Sequence, residues 1–166
     1  MAETVATPLD LAIVIVNYNV EALLKRCLDS IFHSVGDLRL AVCVVDNNSK
    51  DGSVAMVKRD FPQVRLIANK ENPGYSTANN QGLNLLNAEH ISRPRYCLLL
   101  NPDTEVMPNT LRSSVSYMDA HPDTGIMGPK LLLPNGQLDL ACRRAFPTPM
   151  VSFYRCLLYT SDAADE

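Results

Sequence analysis

Leu11-Ala-Ile-Val-Ile-Val-Asn-Tyr-Asn19 is the stretch on which the reading of the fold turns. Apolar residues, mostly β-branched, run without alternation from Leu11 to Val16 and then give way to polar Asn17-Tyr18-Asn19. That is the pattern of a strand buried on both faces whose C-terminal end meets solvent, and it predicts a central strand of a parallel sheet. Outward from it, Val20, Leu23, Leu24, Cys27, Leu28, Ile31 and Phe32 keep helical spacing, with charges on the other face and Gly36 closing the segment. Leu40 to Val45 repeats the buried-strand pattern and ends in Asp46-Asn47-Asn48-Ser49; Asp51-Gly52-Ser53 then offers a cap for a short helix through Phe61, stopped by Pro62. Val64 to Ala68 predicts a third strand, a Pro73-Gly74 loop follows, and Ser76 to Ala88 predicts a helix with Leu83 and Leu86 inward. Tyr96 to Leu100 predicts a fourth strand, opening onto Asn101-Pro102-Asp103-Thr104-Glu105, before a helix from about Asn109 to His121. Strands alternating with helices in this way predict an open α/β sheet with helices on both faces.

Beyond Pro122 the pattern changes to short apolar pieces, a Pro134-Asn135-Gly136 turn, and a proline-spaced stretch containing Arg143, Arg144 and Arg155. Residues 1–10 are assigned to a mobile N-terminal tail, the first eight of them lacking any periodicity.

The 166 residues, 46% hydrophobic and 20% charged, suit one globular domain with its own core and leave no room for a two-domain enzyme. A net charge of −3 without a Lys/Arg block argues against nucleic acid as a partner. The apolar runs near the start fall far short of the roughly 20 residues a spanning helix needs, so the cytosol is the default compartment. Five cysteines without CxxC spacing read neither as a zinc site nor as a disulfide framework; three lie in apolar patterns and read as small buried hydrophobes.

Ligands of an open parallel sheet bind outside the carboxyl ends of its strands. Asn17-Tyr18-Asn19, Asp46-Asn47-Asn48, Asn101 to Glu105 and the Asn72-Pro73-Gly74-Tyr75 loop are therefore the candidate site. Asp103 and Glu105, at i and i+2, would project to one side of an extended segment and suit a hard divalent cation that completes its shell with phosphate oxygens; an acidic surface turn is the alternative. Asp46 can accept from a base imide or a ribose hydroxyl, or simply close an Asx turn. Asp51 reads as a helix cap, and Tyr18 as a stacking surface or ordinary packing. No GxGxxG, GxxxxGK[ST] or GxSxG motif occurs, and His33, His90 and His121 are scattered, which disfavours NAD enzymes, P-loop NTPases, serine hydrolases and His-based sites.

Taken together, Ile13 to Asn19, Val44 to Ser53, Asn72 to Tyr75 with Asn79-Asn80-Gln81-Gly82, and Leu99 to Glu105 resemble the family 2 glycosyltransferases, most closely their rhamnosyltransferase-like branch. Gly128 to Leu132, Pro134 to Gly136, Arg143-Arg144 and Phe146 to Pro149 fit the same resemblance, which covers about Leu11 to Arg155. It implies a GT-A fold: residues 11–121 as the nucleotide-sugar-binding α/β domain, 122–155 as the start of the acceptor-binding part. The activity implied is inverting transfer of a sugar from a UDP- or dTDP-sugar to a glycan or lipid-linked acceptor, with peripheral association at the inner face of a membrane where the acceptor is a lipid. Residue by residue, the resemblance implies nucleotide-sugar contacts from Asn17, Tyr18, Asn19, Asp46, Asn48, Gly74, Asn79 and Asn101. Asp103, and less securely Glu105, would hold Mg2+ or Mn2+. The catalytic base is expected beyond Arg155, with Asp139 only a weak candidate. Cys156 to Glu166 matches nothing in the family and looks like the translated adapter tails found at the ends of fragmentary metagenomic reading frames, so residues 156–166 are expected to be non-native and the chain an N-terminal fragment. A non-catalytic, metal-dependent nucleotide-binding module and a sugar nucleotidyltransferase are the rival readings; the second lacks its Gly- and Arg-rich loop after the first strand.

Overall fold

A computed structural model describes residues 9–89, 93–139 and 142. The expectations placed on residues 1–8, on His90, on the 143–155 stretch and on the 156–166 tail lie outside the described residues. The chain divides into two compact units, residues 1–123 and 124–166.

In the first unit the elements alternate as the sequence predicts: β1 (Leu11–Asn17), α1 (Glu21–His33), β2 (Leu40–Asp46), α2 (Ser53–Asp60), β3 (Arg65–Ala68), α3 (Tyr75–Glu89), β4 (Tyr96–Leu100) and α4 (Thr110–Ala120). The strands form one parallel sheet in the order β3-β2-β1-β4, so β1 is central. Period-two alternation then divides the core between the faces. Ile13, Ile15, Val42 and Val44 pack with Leu24, Cys27, Leu28 and Ile31 of α1, Met56 and Val57 of α2, and Leu111 and Val115 of α4. Ala12, Val14, Cys43 and Val45 face Ala78 and Leu86 of α3, with Leu83 half-buried beside them. Helices therefore lie on both faces, and β1 is apolar on both because both are covered.

Two expectations change. Leu9 and Asp10 are tied in rather than part of a tail: the Leu9 carbonyl accepts from Arg95 N–H (2.9 Å), and Asp10 N–H donates to the Arg39 carbonyl (2.8 Å). The Asp10 carboxylate, buried, meets the guanidiniums of Arg39 (3.3 Å) and Arg95 (3.1 Å). Arg39 N–H and guanidinium bonding, strengthened by Arg95, holds the Asp10 carboxyl at about 2, below its ordinary 3.8. Of the cysteines, Cys27 and Cys43 are buried as expected, but Cys97 is exposed. It shares with Leu99, 48% exposed, the side of β4 that α3 leaves uncovered, since α3 lies across β1 and β2.

In the second unit Pro134-Asn135-Gly136 does form a turn. Leu132 bridges Leu138 in antiparallel fashion, Leu133 N–H donates to the Gln137 carbonyl (2.8 Å), and Gly136 takes φ 81°, a conformation that favours glycine.

Candidate functional site

Parallel pairing brings the ends of β1 and β2 level, Asn17 opposite Asp46. The ladder runs on past the strands: Asn47 N–H donates to the Asn17 carbonyl and Asn69 N–H to the Asp46 carbonyl, both at 2.9 Å. Asn17 is fully buried; its Nδ2 donates to Asp46 Oδ2 (2.8 Å) and Ser49 Oγ (3.2 Å), while its Oδ1 has no partner among the described residues. Asp46 is only 2% exposed, and its Oδ1 accepts Ser49 N–H (2.9 Å). Both carboxylate oxygens are thus already engaged within the chain, the geometry of the Asx-turn alternative.

The β1–α1 and β2–α2 loops are stitched into one rim. Asn19 and Asn48 take left-handed φ of 56° and 66°, which asparagine tolerates better than most residues. Asn19 N–H donates to Ser49 Oγ (2.9 Å), and Asn19 Oδ1 accepts Lys50 N–H (2.6 Å). Asn48 Oδ1 accepts from Lys50 Nζ (2.8 Å). Asp51 is the expected cap and more: Oδ1 accepts Ser53 N–H of α2 (3.0 Å), Oδ2 accepts Glu21 N–H of α1 (2.9 Å), and Glu21 Oε2 in turn accepts Gly52 N–H (3.1 Å). Burial pushes the Asp51 carboxyl up, but the Ser53 and Glu21 hydrogen bonds outweigh it and leave it below its ordinary value. Tyr18, 52% exposed, stands on this rim with its ring open to solvent.

A third wall comes from the loop before α3 and from α3 itself. Asn69 Nδ2 donates to Asn47 Oδ1 (3.1 Å) and Gln81 Oε1 (2.9 Å), and Asn47 Nδ2 donates to Asn72 Oδ1 (3.1 Å). Asn72 Oδ1 also accepts Gly74 N–H (2.9 Å), and Gly74 turns into α3 at φ 87°. Asn79, buried, donates to the Tyr75 carbonyl (3.0 Å) and leaves its Oδ1 without a partner among the described residues. The sequence reading missed this amide chain; its only linear trace is the density of Asn and Gln at positions 47, 69, 72 and 81.

The acidic loop departs from the sequence expectation. Thr104 N–H donates to the Asn101 carbonyl (3.2 Å), so Asn101 to Thr104 is a turn and not an extended segment, and spacing alone does not align Asp103 with Glu105. Glu105 Oε1 lies 3.3 Å from Arg26 Nε of α1. Asp103 is exposed and carries no hydrogen bond or ion pair among the described residues, and Asn101 is exposed beside it. Among the described residues no cluster of three or more His, Cys, Asp or Glu occurs there. A hard cation bound mainly through phosphates needs only one or two carboxylates, so this loop fits such an ion. Cys27 lies against the loop, its Sγ donating to the Asn101 carbonyl (3.6 Å). Burial first, then the negative charges of Asp103 and Glu105, push its thiol up to about 12, which keeps it protonated and unreactive. Asp139 lies in the second unit, its N–H donating to the Leu131 carbonyl (3.0 Å).

A polar rim at the carboxyl ends of a parallel sheet, closed by an acidic turn, is the arrangement the sequence resemblance implies, and residues 12–131 match the profile of Glycosyl transferase family 2. The chain belongs to that family. Among curated relatives, this family 2 domain is 28% identical over 116 residues to the minor teichoic acid biosynthesis protein GgaB of Bacillus subtilis (strain 168), covering 68% of the chain and 12% of that protein. It is 27% identical over 139 residues to an N-acetylglucosaminyl-diphospho-decaprenol L-rhamnosyltransferase of Mycobacterium tuberculosis, covering 81% of the chain and 45% of that protein. The chain thus spans less than half the length of either relative. Among solved structures, S. aureus TarS 1–349 superposes with a TM-score of 0.56 at 19% identity, over 68% of this chain and 33% of that one. A mannosyltransferase of Pyrobaculum calidifontis in complex with GDP-Man and Mn2+ gives the same TM-score at 23% identity, with the same shares covered. The fold is GT-A-like. No helix among the described residues is long and apolar enough to cross a membrane.

Proposed function

We propose that this family 2 domain binds the donor for an inverting glycosyltransferase, one that moves a sugar from a nucleotide-diphospho-sugar to a glycan or lipid-linked acceptor. The observation that carries the reading is the convergence on one rim of three polar strand ends, where, among the described residues, the buried Asn17 Oδ1 and Asn79 Oδ1 lack partners and the Asp103 carboxylate stands unpaired. Buried polar atoms without partners are costly in a finished fold and ordinary where a ligand completes them. In this reading Asn17 and Asp46 frame the floor. Asp46 acts through Asn17 and the Ser49 turn, because both its oxygens are engaged. Groups on the rim make the direct contacts: Tyr18 stacks on the base, Asn19 and Asn48 border the nucleoside, and Gly74 to Asn79 border the nucleotide and sugar, with Asn101 beside them.

Asp103 would hold Mg2+ or Mn2+ together with the donor's diphosphate, and Glu105 is the less secure second carboxylate because the Asn101–Thr104 turn does not align it with Asp103. When bound, such an ion offsets the charge that develops on the departing nucleoside diphosphate. Direct displacement by an acceptor hydroxyl inverts the anomeric centre and needs a general base within hydrogen-bond reach. A UDP- or dTDP-sugar is the proposed donor class, as the family resemblance implies. The diphospho-decaprenol in the name of the mycobacterial relative supports a lipid-linked acceptor, which would bring the protein to the inner face of a membrane.

The test is sugar transfer from a panel of UDP-, dTDP- and GDP-sugars by a protein that joins this domain to the further length its relatives possess. Metal-dependent transfer lost in Asp103→Ala is the expected result. Undiminished metal-dependent transfer in that variant removes Asp103 from the reaction.

A further inference from the structure

Three side chains along one side of α1 bond to the acidic loop, two of them serine hydroxyls and the third, Cys27, also part of the core. Cys27, Ser30 and Ser34 recur at i, i+3 and i+7, so they line one side of the helix. Cys27 Sγ donates to the Asn101 carbonyl at 3.6 Å, at the loop's start. Ser30 Oγ accepts Val106 N–H at 2.8 Å and donates to its own helix at the Cys27 carbonyl (2.7 Å). Ser34, buried at the end of α1, donates from Oγ to the Val106 carbonyl at 3.2 Å. Residues 101 and 106 are thus pinned to one rigid element, with Asp103 held between the pins. Among the described residues the loop itself contributes only the Thr104-to-Asn101 turn to its own shape.

We infer that Ser30, with Cys27 and Ser34, is a positioning residue for the Asp103 carboxylate: α1 serves as the rail that fixes the acidic turn in the geometry that takes a divalent cation with a nucleoside diphosphate. The inference rests on the donor-binding reading above. Ser30 holds the central place. Its hydroxyl uses its proton on the helix carbonyl and is left as an acceptor for Val106 N–H, so both partners are specified. The Arg26–Glu105 pair adds to the same attachment, but both side chains are more than half exposed and an exposed pair contributes little. Groups that orient a metal ligand without touching the metal commonly change affinity by about 10–100-fold when removed.

The experiment compares the whole chain with Ser30→Ala, Ser30→Thr and Ser34→Ala. Hydrogen exchange of the 101–107 segment and calorimetric binding of UDP are read with and without Mn2+. The expected result is faster exchange of that segment in Ser30→Ala, with unchanged exchange in β1 and β2. UDP affinity in Mn2+ should fall roughly tenfold, neither protein should bind UDP saturably without metal, and Ser30→Thr should restore both the exchange and the Mn2+-dependent affinity because it keeps the hydroxyl. Ser34→Ala should give the same pattern more weakly. Unchanged exchange of the segment overturns the inference, and so does faster exchange with unaltered Mn2+-dependent affinity. If the parent chain binds no UDP in Mn2+ while the segment still loosens in Ser30→Ala, the donor-binding reading fails and the positioning role falls with it. The exchange data then show that the attachment itself was described correctly.

Discussion

Replacing Gly82 by alanine sets two effects of known size against each other. Gly82 lies where α3 crosses β1 and β2. A Cβ there would stand 2.6 Å from Val14 Cγ1, 3.2 Å from Val14 Cγ2 and 3.2 Å from Val45 Cγ2. Both valines are fully buried in the sheet and stiff at χ1, so neither can swing aside cheaply. Helix propensity alone favours alanine by about 1 kcal/mol. Overpacking a filled core costs about 1–3 kcal/mol, and a contact roughly 1 Å inside the normal carbon–carbon separation of about 3.5–4.0 Å belongs at the upper end. The expected net loss is therefore about 2 kcal/mol. Urea unfolding with linear extrapolation measures it, as a lower midpoint at unchanged slope. Val14→Ala supplies the internal control. Alone it should cost about 2 kcal/mol for two lost methyl groups and the gap they leave. In the Gly82→Ala background it removes the closest clash, so the pair should couple favourably by about 1–2 kcal/mol. If Gly82→Ala stabilises the protein by about 1 kcal/mol and adds to Val14→Ala without coupling, α3 does not lie on the sheet as closely as described.

Asp51→Ala removes the acceptor for backbone N–H groups at the starts of both α1 and α2 and should cost about 2 kcal/mol in thermal or urea unfolding, the upper range for a single cap; a loss below about 0.5 kcal/mol would show that the double cap contributes little. Asp10 has a folded pKa of about 2 against an ordinary 3.8, so its stabilisation is fully present above about pH 4 and disappears as pH falls through 2. Asp10→Asn should lower stability at neutral pH by on the order of 1–2 kcal/mol and flatten the stability profile between pH 4 and 2, as read by urea midpoints across that range. Asp103→Asn should abolish metal-dependent nucleotide binding, whereas Glu105→Gln should weaken it less than tenfold, because the Asn101–Thr104 turn does not align Glu105 with Asp103; equal losses in parallel titrations would return Glu105 to the metal.

Much of this was legible because the strands are buried on both faces. Continuous apolar runs such as Leu11 to Val16 mark central parallel strands with few competing readings, and their polar ends marked the rim. Edges were harder. Cys97 sits in a run as apolar as β1, yet it is exposed because β4 has a strand neighbour on one side and no cover from α3, and a linear pattern does not record which strand takes the edge. Leu9 and Asp10 were misplaced for a related reason: their partners Arg39 and Arg95 are far along the chain. In the candidate site, residue types pointed to the loops at the strand ends, but who bonds whom depended on tertiary register. Asp46 left a base or ribose contact and an Asx turn both open, and the bonds from Asn17 and Ser49 give it the turn geometry. The i, i+2 argument for Asp103 and Glu105 assumed an extended backbone, and the Asn101–Thr104 turn removed that premise. Ser30 and Ser34 carry no signal of their own in the sequence, since nothing there announces that a loop more than 70 residues later lies on them.

The central claim is that the rim binds a nucleoside diphosphate through a divalent ion held by Asp103, and calorimetric titration of the chain with UDP and dTDP, with and without Mn2+ or Mg2+, tests it most directly. Saturable binding should occur only with the metal and vanish in Asp103→Ala. Absence of binding under every condition, or metal-independent binding of equal strength in Asp103→Ala, would contradict it.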